Sequence, residues 1–233
     1  MKWYVAYSLS QPAAPGRRAR ECRFFVRAED SSAAYDRARE IGRSRAESDQ
    51  MHFAGISDLL ETNSEPADEE EILWRESEMS EAAIENCLRP KSAMQAFRPG
   101  TSRSGWYVAQ VLLREIHDEG SHGPRRLVWI NSYLLAADGA ETAYKKAVTI
   151  GRAYESPVGS HRCGGEKAHW QFAGLCDLIA AAEAPADGSL LWCGAVGSKR
   201  TVPPRSQLAV FRWEARRSRS HGLALTRSSA VRG

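Results

Sequence analysis

At 233 residues, with 42% hydrophobic and 26% charged side chains and a formal net charge of +3, the chain has the make-up of a globular protein of one large or two small domains. No apolar run reaches the ~20 residues of a membrane helix, and the opening MKWYVAYSLSQ alternates like a strand where a signal peptide would carry an apolar core. These features point to the cytoplasm. Five cysteines (Cys22, Cys87, Cys163, Cys176 and Cys193), odd in number and without a CxxC pair, are expected to be reduced.

In chain order, Trp3, Val5 and Tyr7 alternate with Tyr4, Ala6 and Ser8, a period of two that predicts a strand with Trp3 and Tyr4 in the core. A polar stretch follows, then residues 22–28 predict a second strand and so a hairpin with a long loop. Asp30 or Ser31 supplies a helix N-cap, Ala34, Ala38 and Ile41 share a helix face, and Gly42 is the expected stop. FAGISDLL at 53–60 predicts a third strand, and a Pro66-Ala67-Asp68 turn leads to a Leu73-Trp74 strand. PKSAMQAFR, residues 90–98, reads as a last strand.

From Trp106 the series starts again. WYVA returns at 106–109, again with Trp106 and Tyr107 expected in the core, and residues 127–136 predict the partner strand. Asp138 with Glu141 three residues on has the form of a capping box, and AYKKAVTIGR at 143–152 answers AYDRAREIGR at 34–43, with Gly151 as the stop. FAGLCDLI at 172–179, Pro185-Ala186-Asp187, Leu191-Trp192 and PRSQLAVFR at 204–212 complete the match. Six blocks in one order divide the chain into two copies, residues 1–98 and 106–213, with a linker at 99–105 and a basic, disordered tail at 214–233. The expected fold is α+β: two tandem β-β-α-β-β(-β) units, each a mostly antiparallel sheet with one main helix on one face, packed as a pseudo-dimer.

The Trp-Tyr opening, the helix beginning near Ala-Tyr, the strand with Phe-Ala-Gly-x-x-Asp-Leu and the closing Leu-Trp strand resemble the bacterial DUF4288 family, over about residues 1–76 and 106–194. The tandem copy and the extra Phe-Arg strand depart from that family's pattern. The resemblance implies an α+β fold and a bacterial origin, and brings no catalytic residues with it.

Charge distinguishes the copies. Residues 1–98 hold 14 basic and 18 acidic side chains, whereas residues 106–213 hold 12 and 10. Asp68, Glu69, Glu70 and Glu71 lie in the densest acidic run, which reads as a solvated face or as a contact face for a basic protein. The five arginines of the tail suit only weak phosphate contacts, and with an acidic first copy nucleic acid is not the expected partner. His161, Cys163, Glu166, His169 and Cys176 are zinc-type ligands, but the H-x-C-x5-H-x6-C spacing matches no established zinc pattern, so neither a metal nor another cofactor is expected. No GxSxG elbow, P-loop, GxGxxG or HExxH motif occurs.

Asp58 and Asp177 stand among apolar residues. Strict alternation sets Asp58 on the face of Ala54, Ile56 and Leu60, where a carboxylate ties down a turn or faces a pocket between the copies. The expected function is non-catalytic binding of another protein through the acidic surface of the first copy. The alternatives are a hydrolase or nucleotide-handling enzyme with a cleft between the copies, and weak nucleic-acid binding through the tail.

Overall fold

The elements run β1 (Lys2–Pro12), β2 (Arg20–Ala28), α1 (Ser31–Ser48), β3 (Met51–Glu61), β4 (Glu71–Met79), α2 (Glu81–Cys87), β5 (Trp106–His117), β6 (Arg126–Ala136), α3 (Ala140–Ala153), β7 (His161–Cys163), β8 (Glu166–Ala180) and β9 (Leu190–Ala195). They are those of a computed structural model that describes residues 1–12, 19–101, 104–117, 126–163 and 165–195. The class is α+β, and both sheets are antiparallel. The expected strand at 204–212 and the tail at 214–233 lie outside the described residues.

The fourth strand of each half is exchanged. One sheet has the order β3-β1-β2-β9 and the other β4-β6-β5-β8-β7, so β9 of the second half completes the first sheet and β4 of the first half joins the second. Read from β8, the second sheet repeats the order of the first, with β7 added beyond β8. Val5, Phe25 and Leu191 from one sheet pack on Ile72, Val108, Leu134 and Ile179 from the other, forming a core between the sheets. Helix α1 covers the outer face of the first sheet through Ala34 and Ala38, and α3 that of the second through Ala143 and Ala147. The result is a four-layer α/β/β/α sandwich in which Tyr4 and Tyr107 are buried and Trp3 and Trp106 are partly buried against the inter-sheet core.

The repeated Pro-Ala-Asp turns hold the exchange together. Asp68 Oδ1 accepts the Ala136 N–H at 2.7 Å and Asp68 Oδ2 meets Lys146 of α3 at 2.8 Å; Asp187 Oδ1 accepts the Arg27 N–H at 2.8 Å and Asp187 Oδ2 lies 3.6 Å from Arg37 of α1. The backbone repeats the relation, with Glu69 N–H donating to Leu134 O and Gly188 N–H to Phe25 O. Each aspartate therefore fastens its own turn to the other half's second strand and helix.

Four expectations change. Residues 90–98 form no strand: Lys91–Ala93 and Gln95–Phe97 are single 3₁₀ turns that plug Met94 and Ala96 into the core beside α3, with Phe97 edge-on to Tyr144. Gly42 and Gly151 do not end their helices but lie inside them, because a Cβ there would come within 2.6 Å of the Phe53 ring and 2.4 Å of the Phe172 ring. Asp30 caps α1 through its side chain, whereas α3 is capped by the extended backbone of Gly139 with no side-chain bond, so Asp138 and Glu141 make no capping box. Cys22 and Cys193 are paired in a disulfide across the β2–β9 register, made possible by the strand exchange that a reading confined to one copy does not contain. The pairing removes the reduced-cysteine support for a cytoplasmic address; among the described residues no helix is long and apolar enough to cross a membrane.

Candidate functional site

The octapeptide encodes a double bulge. Along β3 the pairing with β1 skips Ala54 and Ser57, and along β8 the pairing with β5 skips Ala173 and Cys176, the corresponding positions. Gly55 and Gly174 take φ of 149° and 142° inside these bulges, a conformation open to glycine and strained for other residues. Two extra residues break the period of two, so Phe53, Ile56 and Leu59 all reach the α1 side, and Phe172, Leu175 and Leu178 the α3 side. The alternation expected for Asp58 fails for the same reason, and Asp58 is exposed rather than set among buried aliphatics.

Each aspartate accepts the N–H of the next residue at 3.0 Å, Leu59 on Asp58 and Leu178 on Asp177. Asp177 does more. It also accepts the Gln95 N–H at 3.0 Å and meets Arg89 at 3.0 Å, and Gln95 returns its side-chain oxygen to the Ala180 N–H at 2.8 Å. This carboxylate thus stitches the segment leaving the first half onto β8. Asp58 and Asp177 lie on different sheets, so the geometry does not bring them into one pocket.

The acidic run is largely engaged within the chain. Asp68 and Glu69 both meet Lys146, at 2.8 and 3.2 Å. Burial pushes the Asp68 carboxyl up, but the Lys146 hydrogen bond and the Ala136 N–H outweigh it and hold the carboxyl below its usual range. Glu71 accepts from Asn63, Asn131 and Tyr133, and burial prevails over those bonds to raise its carboxyl. Glu70 uses its backbone to pair with Leu134. On the edge strand β4, Trp74, Arg75, Glu76 and Glu78 are exposed.

Trp74, 51% exposed, starts a row of rings across the second sheet. It stands edge-on to Trp129 at 6.4 Å, Trp129 stacks on Trp170 at 3.9 Å, and Trp170 on His161 at 5.9 Å. Glu76 accepts the Trp129 Nε1–H at 2.9 Å.

At the far end of that row five polar side chains meet. Glu115 and His117 alternate at the end of β5 and so share a face, while His161 and Cys163 come from β7 and Glu166 from the start of β8. Glu115 is 3% exposed; its Oε1 lies 2.8 Å from His161 Nε2 and its Oε2 3.3 Å from His117 Nε2. His117 Nδ1 lies 3.1 Å from Glu166 Oε2. Donor atoms of Glu115, His117 and Cys163 all fall within 4.8 Å of one another. Burial pushes the Cys163 thiol up, helped by its hydrogen bond to Glu115 and the charges of Glu115 and Glu166.

The structure thus separates the five ligand candidates. His161, Cys163 and Glu166 join the cluster, whereas Cys176 is buried on β8 among Ile84, Leu112 and Ile130, where desolvation pushes its thiol up to about 12, and His169 is absent from the cluster. Glu115 and His117 escaped the sequence reading. Glu115-x-His117 at the end of an amphipathic strand was the available signal, and nothing local told that β7 would fold back beside it.

An α/β/β/α sandwich of exchanged strands, carrying an aromatic row and a histidine–cysteine–carboxylate cluster, defines the class. Residues 106–192 match the family model of the domain of unknown function DUF4288. No curated protein and no solved structure matches the chain.

Proposed function

We propose that this protein is a non-catalytic binding module, two fused copies of one unit, that recognises a basic, extended segment of another protein along β4. Trp74, half-exposed on an edge strand between carboxylates, carries the reading. Among the described residues no strand lies beyond β4, so its outer edge suits an added strand; a tryptophan supplies an anchor, and Glu76 and Glu78 favour lysine or arginine at alternate positions. The same carboxylates oppose a phosphate backbone. Fusion of two copies is supported by the equal strand order, the matching bulges and the reciprocal Asp68 and Asp187 contacts. It also leaves the two edges free to diverge, and the apolar packing between the sheets suits a scaffold better than an inter-copy catalytic cleft.

Selection from random displayed twelve-residue peptides tests this. Wild type is expected to enrich peptides with basic residues at alternate positions, with binding that falls as salt rises and is lost in Trp74→Ala and in the pair Glu76→Gln, Glu78→Gln. Enrichment of the same sequences by the variants, or of none by wild type, would overturn the reading.

A further inference from the structure

We infer that Glu115, His117 and Cys163 form a site for a borderline-soft divalent metal ion of the zinc type, with one coordination position left to solvent. The donor set is a carboxylate, an imidazole and a thiol, the three side-chain classes that zinc accepts, and their donor atoms already lie within 4.8 Å of one another. Bonds of about 2.0–2.3 Å to a tetrahedral ion place donors roughly 3.3–3.8 Å apart. The His117 Nε2 to Glu115 Oε2 separation of 3.3 Å is already of that size.

The outer groups are arranged as a metal site needs them. Glu166 holds His117 by Nδ1, which leaves Nε2 turned toward Glu115. His161 holds the other oxygen of Glu115 through Nε2 and is itself near the Ser160 hydroxyl at 3.3 Å. Such partners fix ring orientation and raise ligand basicity. Two of the three proposed ligands thus have an outer partner that leaves the ligating atom inward.

Burial supplies an independent argument. A carboxylate at 3% exposure is costly without a counter-charge, and the ion-pair partners the structure gives Glu115 are His117 and His161, which carry charge only when protonated. A divalent ion would neutralise Glu115 and the Cys163 thiolate together. The framework is stiff, since Glu115 and His117 are in β5 and Cys163 is in β7, held in register opposite Glu166. The three ligands come from strands, as does Glu166, so little ordering remains to be done on binding. The site does not depend on the proposed binding along β4, which lies at the opposite edge of the sheet.

Cobalt(II) is the probe. Titrated into the full chain kept free of oxidant, it should bind at one equivalent with a thiolate-to-cobalt charge-transfer band and intense four-coordinate d–d bands, both removed by one equivalent of zinc. Cys163→Ser should abolish the charge-transfer band, and His117→Ala should abolish tight binding. Glu166→Gln should keep the band while weakening affinity about 10–100-fold. The variant with Cys87→Ser and Cys176→Ser should behave as wild type. A chain with native circular dichroism but no charge-transfer band at one equivalent would overturn the site. So would an affinity unchanged in both Glu166→Gln and His117→Ala. Should Cys163→Ser not fold, the Glu166→Gln and His117→Ala affinities decide alone.

Discussion

Asp58 and Asp177 occupy the same place in one motif and differ in burial. Both accept the following N–H, but Asp177 adds Gln95 N–H and Arg89 and its side chain is only 14% exposed, whereas Asp58 is exposed. A buried charged acceptor left with poorer partners costs about 1–3 kcal/mol, while an exposed one exchanges its bonds with water. Asp177→Asn is therefore expected to lower stability by about 1–3 kcal/mol and Asp58→Asn by less than ~1 kcal/mol, read from urea denaturation. Equal losses would show that burial does not set the difference. A carboxylate inside an apolar octapeptide was visible in the sequence as a signal. Its surroundings were not, because alternation holds only while the ladder stays regular, and bulges at Ala54, Ser57, Ala173 and Cys176 depend on the partner strand.

Helix and strand meet through a matched pair in each half. The glycine of Ile-Gly-Arg lies against the phenylalanine that opens the octapeptide, Gly42 on Phe53 and Gly151 on Phe172, which explains why these two blocks recur together. Periodicity alone gives glycine as a stop, and α1 instead continues to Ser48, since at this crossing the small residue is needed for contact. An exposed mid-helix glycine replaced by alanine gains about 1 kcal/mol of helix propensity, but overpacking a closed contact costs typically about 1–3 kcal/mol. With a Cβ built 2.4 Å from the Phe172 ring, the clash is expected to win. Gly151→Ala should lower stability by about 1–2 kcal/mol, and adding Phe172→Leu should recover part of the alanine's cost in a double-mutant cycle. Independent, additive losses would place the ring elsewhere. Elements set by their own residues, such as β1, β5 and the Asp30 cap, were legible. The 3₁₀ turns at 91–97 were not, because Met94 and Phe97 are shaped by α3 and Tyr144.

At the scale of the molecule, exchange makes each sheet incomplete without the other half. β9 brings Leu191 to the shared core and Cys193 to Cys22, while β4 brings Ile72 to the same core from the opposite direction. Asp68 and Asp187 then fasten each turn across. Repeated blocks divide the sequence into two halves but do not say which half a fourth strand completes, since Leu73-Trp74 and Leu191-Trp192 fit either sheet equally well by pattern. The consequence is cooperativity: neither half can melt without exposing the core both share. The Cys22–Cys193 link spans 171 residues, so removing it should cost about 2–5 kcal/mol, chiefly through the freer unfolded chain. Cys193→Ser is expected to lower the melting temperature by many degrees while calorimetry still records one transition, with the calorimetric and van't Hoff enthalpies equal. Two resolved transitions in this variant would mean that the halves fold separately and that the exchanged strands are ornaments on two independent domains. A single transition that merely moves downward follows if β4 and β9 are what join them, because the disulfide then adds to an interlock that hydrogen bonds and the shared apolar core already provide.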